Sequence, residues 1–207
     1  MNNQTVLVLD YQMGNLHSVK RKLEQIGLSP IVSSKIEDIA KADKIILPGV
    51  GHFGKAMENL NKLGLIEALN KAVIVEKKPI LGICLGMQLM ASYSEEGNSS
   101  GLGWFDGNIV RFKINDQLKH KIPHTGWNQI SIAKPNALMN NISDGAEFYF
   151  VHSYHFSTND DSVVLNRTEY EYSFVSAVAK NNIFGVQYHP EKSHDVGRQL
   201  LKNFIYL

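Results

Sequence analysis

The sequence predicts an α/β fold, a doubly wound and mostly parallel sheet with an added antiparallel section. Two observations carry that reading. In the first half, short apolar runs rich in Val and Ile alternate with longer amphipathic stretches, which is the pattern of βαβ units around a parallel sheet. In the middle, strand-like runs follow one another across short turns with no helical stretch between them, which implies antiparallel pairing.

Taken in order, 5–10 reads as the first strand. After the turn at 12–14, Leu16, Val19, Leu23 and Ile26 recur at spacings of three and four, so a helix follows and stops at Gly27. The next strand, 44–47, ends at Pro48–Gly49. Leu65, Ile66, Leu69, Ala72 and Val73 mark another helix, and Pro79 opens a strand over 80–83 that runs straight into Cys84. The antiparallel section is expected over 108–113, 129–132, 147–155, 172–179 and 183–188. A final helix follows Ser193, read as its N-cap, with Val196, Leu200, Leu201 and Phe204 as the apolar stripe. The segments 92–101 and 114–121 read as surface loops. No repeat or low-complexity linker divides the chain, and one domain over 1–207 is expected.

Lys+Arg 21 against Asp+Glu 20 gives a formal net charge of +1, so there is no global field to gather nucleic acid or an anionic membrane. The N-terminus has no basic region before its short apolar run, and a cytoplasmic location is expected. With 1 cysteine there is no internal disulfide, and whatever Cys84 does, it does as a thiol.

Cys84 sits between an apolar strand and a helical pattern, with Gly82 and Gly86 two residues to either side, in the layout of the G-x-S-x-G nucleophile elbow with sulfur in place of oxygen. Side chains at 82 and 86 would collide with the adjoining strand and helix. A helix N-terminus favours the thiolate. The ordinary alternative is a buried core cysteine, since cysteine is among the most buried residue types.

The run Val186–Ser193 supplies a base and a group to orient it. Pro190 biases His189 toward extended backbone, where residues i and i+2 project to one side, so Glu191 can accept the imidazole N–H. That is the role of the third member of a triad. The plain alternative is a turn carrying a surface ion pair.

Gly82–Gln88 (GICLGMQ) and Gln187–Glu191 (QYHPE) together resemble the class I, or triad, glutamine amidotransferases, whose fold is flavodoxin-like. Within that class the chain is similar to the glutaminase subunits of imidazole glycerol phosphate synthases, through DYQMGN (10–15), LPGVG (47–51), PHTGWN (123–128), YFVHSY (149–154) and HPEKS (189–193). The resemblance implies a Cys84–His189–Glu191 triad that hydrolyses glutamine and passes ammonia to a (β/α)8-barrel cyclase, the HisF-type partner of a heterodimer in histidine biosynthesis, with no cofactor. It implies an oxyanion hole from the backbone near Val50–Gly51 and at Leu85, and glutamine contacts from Gln88, Glu96, Ser153 and Tyr154. It also implies a partner face at Asn15, Trp127 and Lys192. Two positions depart from the family pattern: Gln12 stands where Gly is usual, and Thr125 where Met is usual. Both lie near the implied partner face, so the acceptor stays open between the histidine pathway and a paralogous synthase for an amidinated surface sugar.

Other classes fit less well. His120/His124 and His152/His155 have spacings that suit a metal on a helix, but no Cys or carboxylate cluster completes a site, and in a strand His152 and His155 would point to opposite faces. The GxGxxG phosphate fingerprint is absent. A stand-alone cysteine hydrolase would need neither Gln88 nor the HPE pair, and the complete triad argues against a non-catalytic interaction subunit.

Overall fold

The computed structural model describes residues 4–116 and 118–207; residues 1–3, and residue 117 within the expected loop 114–121, lie outside the described residues. Chain order is β1 (Val6–Leu9), α1 (Leu16–Glu24), β2 (Ile31–Ser33), α2 (Ile36–Lys41), β3 (Lys44–Gly49), α3 (Phe53–Lys62), α4 (Leu65–Asn70), β4 (Ile80–Cys84) and α5 (Leu85–Gln88). Then come β5 (Ala91–Ser94), β6 (Ser99–Ser100), β7 (Phe105–Arg111), β8 (His124–Gln129), β9 (Ser131–Ile132), β10 (Glu147–His152), β11 (Tyr154–Ser157), β12 (Val164–Tyr170), β13 (Tyr172–Lys180), β14 (Ile183–Val186) and α6 (His194–Ile205).

The main sheet runs β2-β1-β3-β4-β14-β13-β11-β7-β5-β6, with β12 and β9 branching from β13. From β2 to β14 neighbouring strands are parallel. These strands are buried along their whole length in β1, β3, β4 and β14, as continuous apolar runs between two helical layers should be. At β14 the sheet turns antiparallel through β13, β11 and β7. A separate ribbon pairs β8 with β10.

The helices follow from local chemistry. Asn15 Oδ1 accepts from the Ser18 backbone N–H and opens α1, whose buried face is Val19 and Leu23. Gly27, at φ 84°, lets the chain leave after the helix in a left-handed conformation that a side chain would resist. The helix α3 was not expected; His52 caps it and Phe53, Ala56, Asn59 and Leu60 are its buried face. Ser193 stands at the N-cap position of α6 but does not cap it: its hydroxyl donates to His189 O at 2.6 Å and accepts from Tyr149 N–H at 3.0 Å.

Three other expectations are corrected. The segment 92–101 is not a plain loop, because Tyr93 pairs with Ser100 and Ser94 with Ser99 in a hairpin. The run 147–155 is broken at Ser153, where the chain leaves the β8–β10 ribbon and enters the main sheet as β11. That break also brings His152 and His155 to the same Phe112 ring, at centroid distances of 5.2 and 4.7 Å, instead of on opposite faces. Strands β2 and β12 were not read as strands.

Candidate active site

Everything at the site depends on what happens where β4 ends. Cys84 has φ 54° and ψ −109°, a strained turn for a residue with a side chain, and α5 begins immediately after it. The turn is tight enough to require both glycines. A Cβ on Gly82 would lie 2.7 Å from the backbone of Gly86 and Met87, and one on Gly86 would lie 1.8 Å from Leu47 O of β3. Gly82 therefore lets the one-turn helix fold back over its own strand, and Gly86 lets that helix lie against β3.

The neighbouring strands bring in the other groups. In β3 Gly49 is in register with Cys84, so the following Val50 and Gly51 reach the cavity beside the sulfur. Gly51 has φ 111° and Val50 is 39% exposed. On the other side, β14 runs parallel to β4 with Val186 opposite Ile83. Continuing one residue on each strand sets Gln187 against Cys84, and the Gln187 Nε2 is 3.6 Å from the sulfur.

His189 is extended, as Pro190 requires, but residues Pro190–Lys192 form a 3-10 turn and not the continued strand that was expected. The turn still returns Glu191 to the ring: His189 Nδ1 and Glu191 Oε1 are 2.7 Å apart, and both side chains are buried. Burial disfavours the imidazolium, but the charge of a Cys84 thiolate and then the Glu191 carboxylate outweigh it and lift His189 to about 10. His189 Nε2 is buried with no hydrogen-bond partner among the described residues. The arrangement can therefore hold a thiolate–imidazolium pair and carry one proton on an otherwise idle nitrogen.

A cavity of about 260 Å³ opens onto the sulfur, lined among others by Val50, Gly51, Leu85, Gln88, Glu96 and Tyr154. Ser153 lies on its wall as well. Glu96 is partly committed, since its Oε2 accepts from the Phe53 N–H at the start of α3 at 2.8 Å. Gln88 is held from two sides by its Nε2, 2.9 Å from Tyr154 O and 2.9 Å from Gln187 Oε1.

From His152, which is part of this wall, a buried imidazole chain that the sequence does not reveal runs back into the protein. His152 Nδ1 is 2.8 Å from Tyr154 O, His152 Nε2 is 3.1 Å from His124 Nδ1, and His124 Nε2 is 3.2 Å from Asn128 Nδ2. Since a carbonyl only accepts, the protons are fixed as His152 Nδ1–H and His124 Nδ1–H. Burial pushes His152 well below its ordinary value and His124 down to about 4, so both rings are neutral. Among the described residues no group of three or more His, Cys, Asp or Glu side chains could hold a metal ion, and no helix is long and apolar enough to cross a membrane.

The three residues assigned to a partner face do not lie in the cavity. Trp127 is 45% exposed and stacks on His194 with centroids 4.9 Å apart, and Lys192 Nζ sits 5.3 Å over the Tyr149 ring. Tyr149 pairs with Trp127 across the β8–β10 ribbon, so Trp127, Tyr149, Lys192 and His194 make one patch. Asn15 is occupied locally as the cap of α1.

The family described as Glutamine amidotransferase class-I matches residues 7–207. The chain is 50% identical over 200 residues to imidazole glycerol phosphate synthase subunit HisH 2 of Methanococcus maripaludis, covering 97% of this chain and 98% of that protein. It is 44% identical over 202 residues to subunit HisH 2 of Pseudomonas aeruginosa, covering 98% and 99%. The structure of PurLQS from Thermotoga maritima superposes with a TM-score of 0.73 at 18% identity, covering 98% of this chain and 98% of that one, and shows the shared fold. The chain belongs to the class I glutamine amidotransferase family.

Proposed function

We propose that this chain is the glutaminase subunit that supplies ammonia for imidazole glycerol phosphate synthesis in histidine biosynthesis, acting in the cytoplasm as a heterodimer with a (β/α)8-barrel cyclase. The observation that supports the chemistry is a strained Cys84 at the end of β4 together with a His189–Glu191 pair at 2.7 Å just beyond β14, the strand that pairs with β4. The identity of the pathway rests on full-length relatives named for that synthase.

In the reaction, the Cys84 thiolate attacks the side-chain amide carbon of glutamine and an S–C bond forms. Backbone N–H groups near Val50–Gly51 and at Leu85 receive the oxyanion. As the C–N bond breaks, His189 gives its Nε2 proton to the departing ammonia, and Glu191 steadies the ring through Nδ1. Water then attacks the thioester while neutral His189 takes its proton; the C–S bond breaks, glutamate leaves and the thiolate–imidazolium pair is restored. Gln88, Glu96, Ser153 and Tyr154 hold the substrate along the cavity wall. Gln88 spends both amide hydrogens on Tyr154 and Gln187, so it meets glutamine through its oxygen.

Ammonia is mostly protonated at neutral pH and then cannot act as a nucleophile, which makes direct delivery to a docked partner useful. The patch of Trp127, Tyr149, Lys192 and His194, with Asn15, forms the docking face in this reading. A second pathway, ammonia supply to a paralogous synthase for an amidinated surface sugar, is kept because Gln12 and Thr125 depart from the usual family residues near that face. Cross-pairing decides between them. Ammonia release should rise strongly with the histidine-pathway cyclase; activation only by a sugar-pathway barrel would overturn the pathway, and equal activity with neither would overturn partner dependence.

A further inference from the structure

The direction of every amide around the sulfur can be derived from one backbone group. Tyr154 O can only accept, and the Gln88 side-chain nitrogen lies 2.9 Å from it. That fixes Gln88 with its NH2 toward Tyr154, and the second hydrogen of the same NH2 meets Gln187 at 2.9 Å. Gln187 must therefore present its oxygen to Gln88, since the reverse orientation would set two NH2 groups face to face. Its own NH2 is then left pointing at Cys84 Sγ, 3.6 Å away.

Two neighbours of the sulfur thus favour opposite protonation states. Val151 O, at 3.9 Å, can only accept and so favours a neutral S–H. The Gln187 N–H is closer, can only donate, and favours the anion. Gln187 is fully buried, so no water competes for that N–H. The register explains why this residue type is needed here: the side chain that follows β14 faces the side chain that ends β4, and a chain of two amides is what converts an accepting carbonyl at Tyr154 into a donor at the thiol.

We propose that Gln187 is a further catalytic residue, whose side-chain N–H holds the Cys84 sulfur as a thiolate, with Gln88 as the positioning residue that aims it from the Tyr154 carbonyl. This rests on the reading of Cys84 as the nucleophile. It gives Gln88 a second task beside touching glutamine, and it ties the wall that receives the substrate to the charge of the nucleophile.

The test exploits the fact that Cys84 is the single thiol in the chain, so its alkylation by iodoacetamide can be followed on the intact protein by mass at a series of pH values. The apparent midpoint belongs to the coupled Cys84–His189 pair, and every variant used leaves His189 in place. Gln187→Met should move the midpoint up by about one pH unit, and Gln88→Met should move it in the same direction by less. The double variant should match Gln187→Met alone, because Gln88 acts only through Gln187. A purely structural role would give no shared midpoint shift. If Gln187→Met fails to fold, Gln187→Leu decides: it removes the donor without adding a charge, and its midpoint should also rise. An unmoved midpoint in the folded Gln187 variant, or additive shifts in the double variant, overturns the proposal. Failure of the nucleophile reading is separate, since it would appear as glutamine hydrolysis surviving in Cys84→Ala.

Discussion

His189 Nδ1 lies 2.7 Å from Glu191 Oε1, inside the protein, and the contact joins residues two apart in sequence where the 3-10 turn Pro190–Lys192 begins. It fixes the ring with Nδ1 as the donor and leaves Nε2 for chemistry. Glu191→Gln keeps an imidazole in place but weakens its orientation, so glutamine turnover should fall by about 10–10³-fold, less than the loss for the aspartate of serine proteases. An unchanged steady-state rate in Glu191→Gln would remove Glu191 from the triad.

The Cys84 sulfur, with Glu191 after it, sets a pH dependence of stability through His189. The imidazole of the folded chain titrates near 10 against 6.5 for an unperturbed one. A raised folded-state value means the stabilisation is present in full below about pH 6.5 and is lost as pH rises through about 10. The melting temperature of the unaltered chain, relative to His189→Gln, should therefore decline across that interval. In a Cys84→Ala background the decline should shrink, because the thiolate is the largest favourable cause. A flat difference between the two proteins over the whole range would contradict the assignment.

Two glycine positions separate steric need from conformational need. Gly86→Ala drives a methyl group into Leu47 O, a backbone atom that cannot move aside, so it should cost more than about 3 kcal/mol or prevent folding. Gly27→Ala meets nothing within 4 Å and faces only the left-handed penalty, so it should cost about 1–2 kcal/mol. Urea unfolding measures both, and equal costs would refute the collision.

Gln12 also has a positive φ, 65°, which gives a physical reason why glycine suits this position in the family. Gln12→Gly should leave stability unchanged or raise it by up to about 1 kcal/mol, the left-handed penalty set against the extra entropy of an unfolded glycine. A clear destabilisation in chemical unfolding would show that the Gln12 side chain, and not its backbone, matters there.

How much of this was legible in the sequence depended on whether each signal was local. The strand before Cys84 with its flanking glycines, and separately the HPE turn, are each confined to a few residues, so the steric logic of each is readable from local sequence. The helix α3 was hidden because Gly54, Asn59 and Asn61 dilute its stripe; Asn59 is buried for a reason lying elsewhere, its donation to Tyr11 O at 3.1 Å. Strand β12 was hidden because its inward residues include polar ones, Asn166 and Thr168, which join Ser176 in a buried hydrogen-bonded set. The break at Ser153 was illegible since an extended chain can change sheets without changing its alternation. The role of Gln187 needed the most distant information, because the direction of its amide is settled by a carbonyl on another strand.

In the proposed function, Cys84 is the nucleophile of a glutaminase that works for a barrel partner. The most direct measurement is product formation by Cys84→Ala in complex with that partner, from glutamine and from added ammonium salt in parallel. Synthesis from glutamine should vanish while synthesis from ammonium persists; glutamine turnover retained in Cys84→Ala would contradict the account.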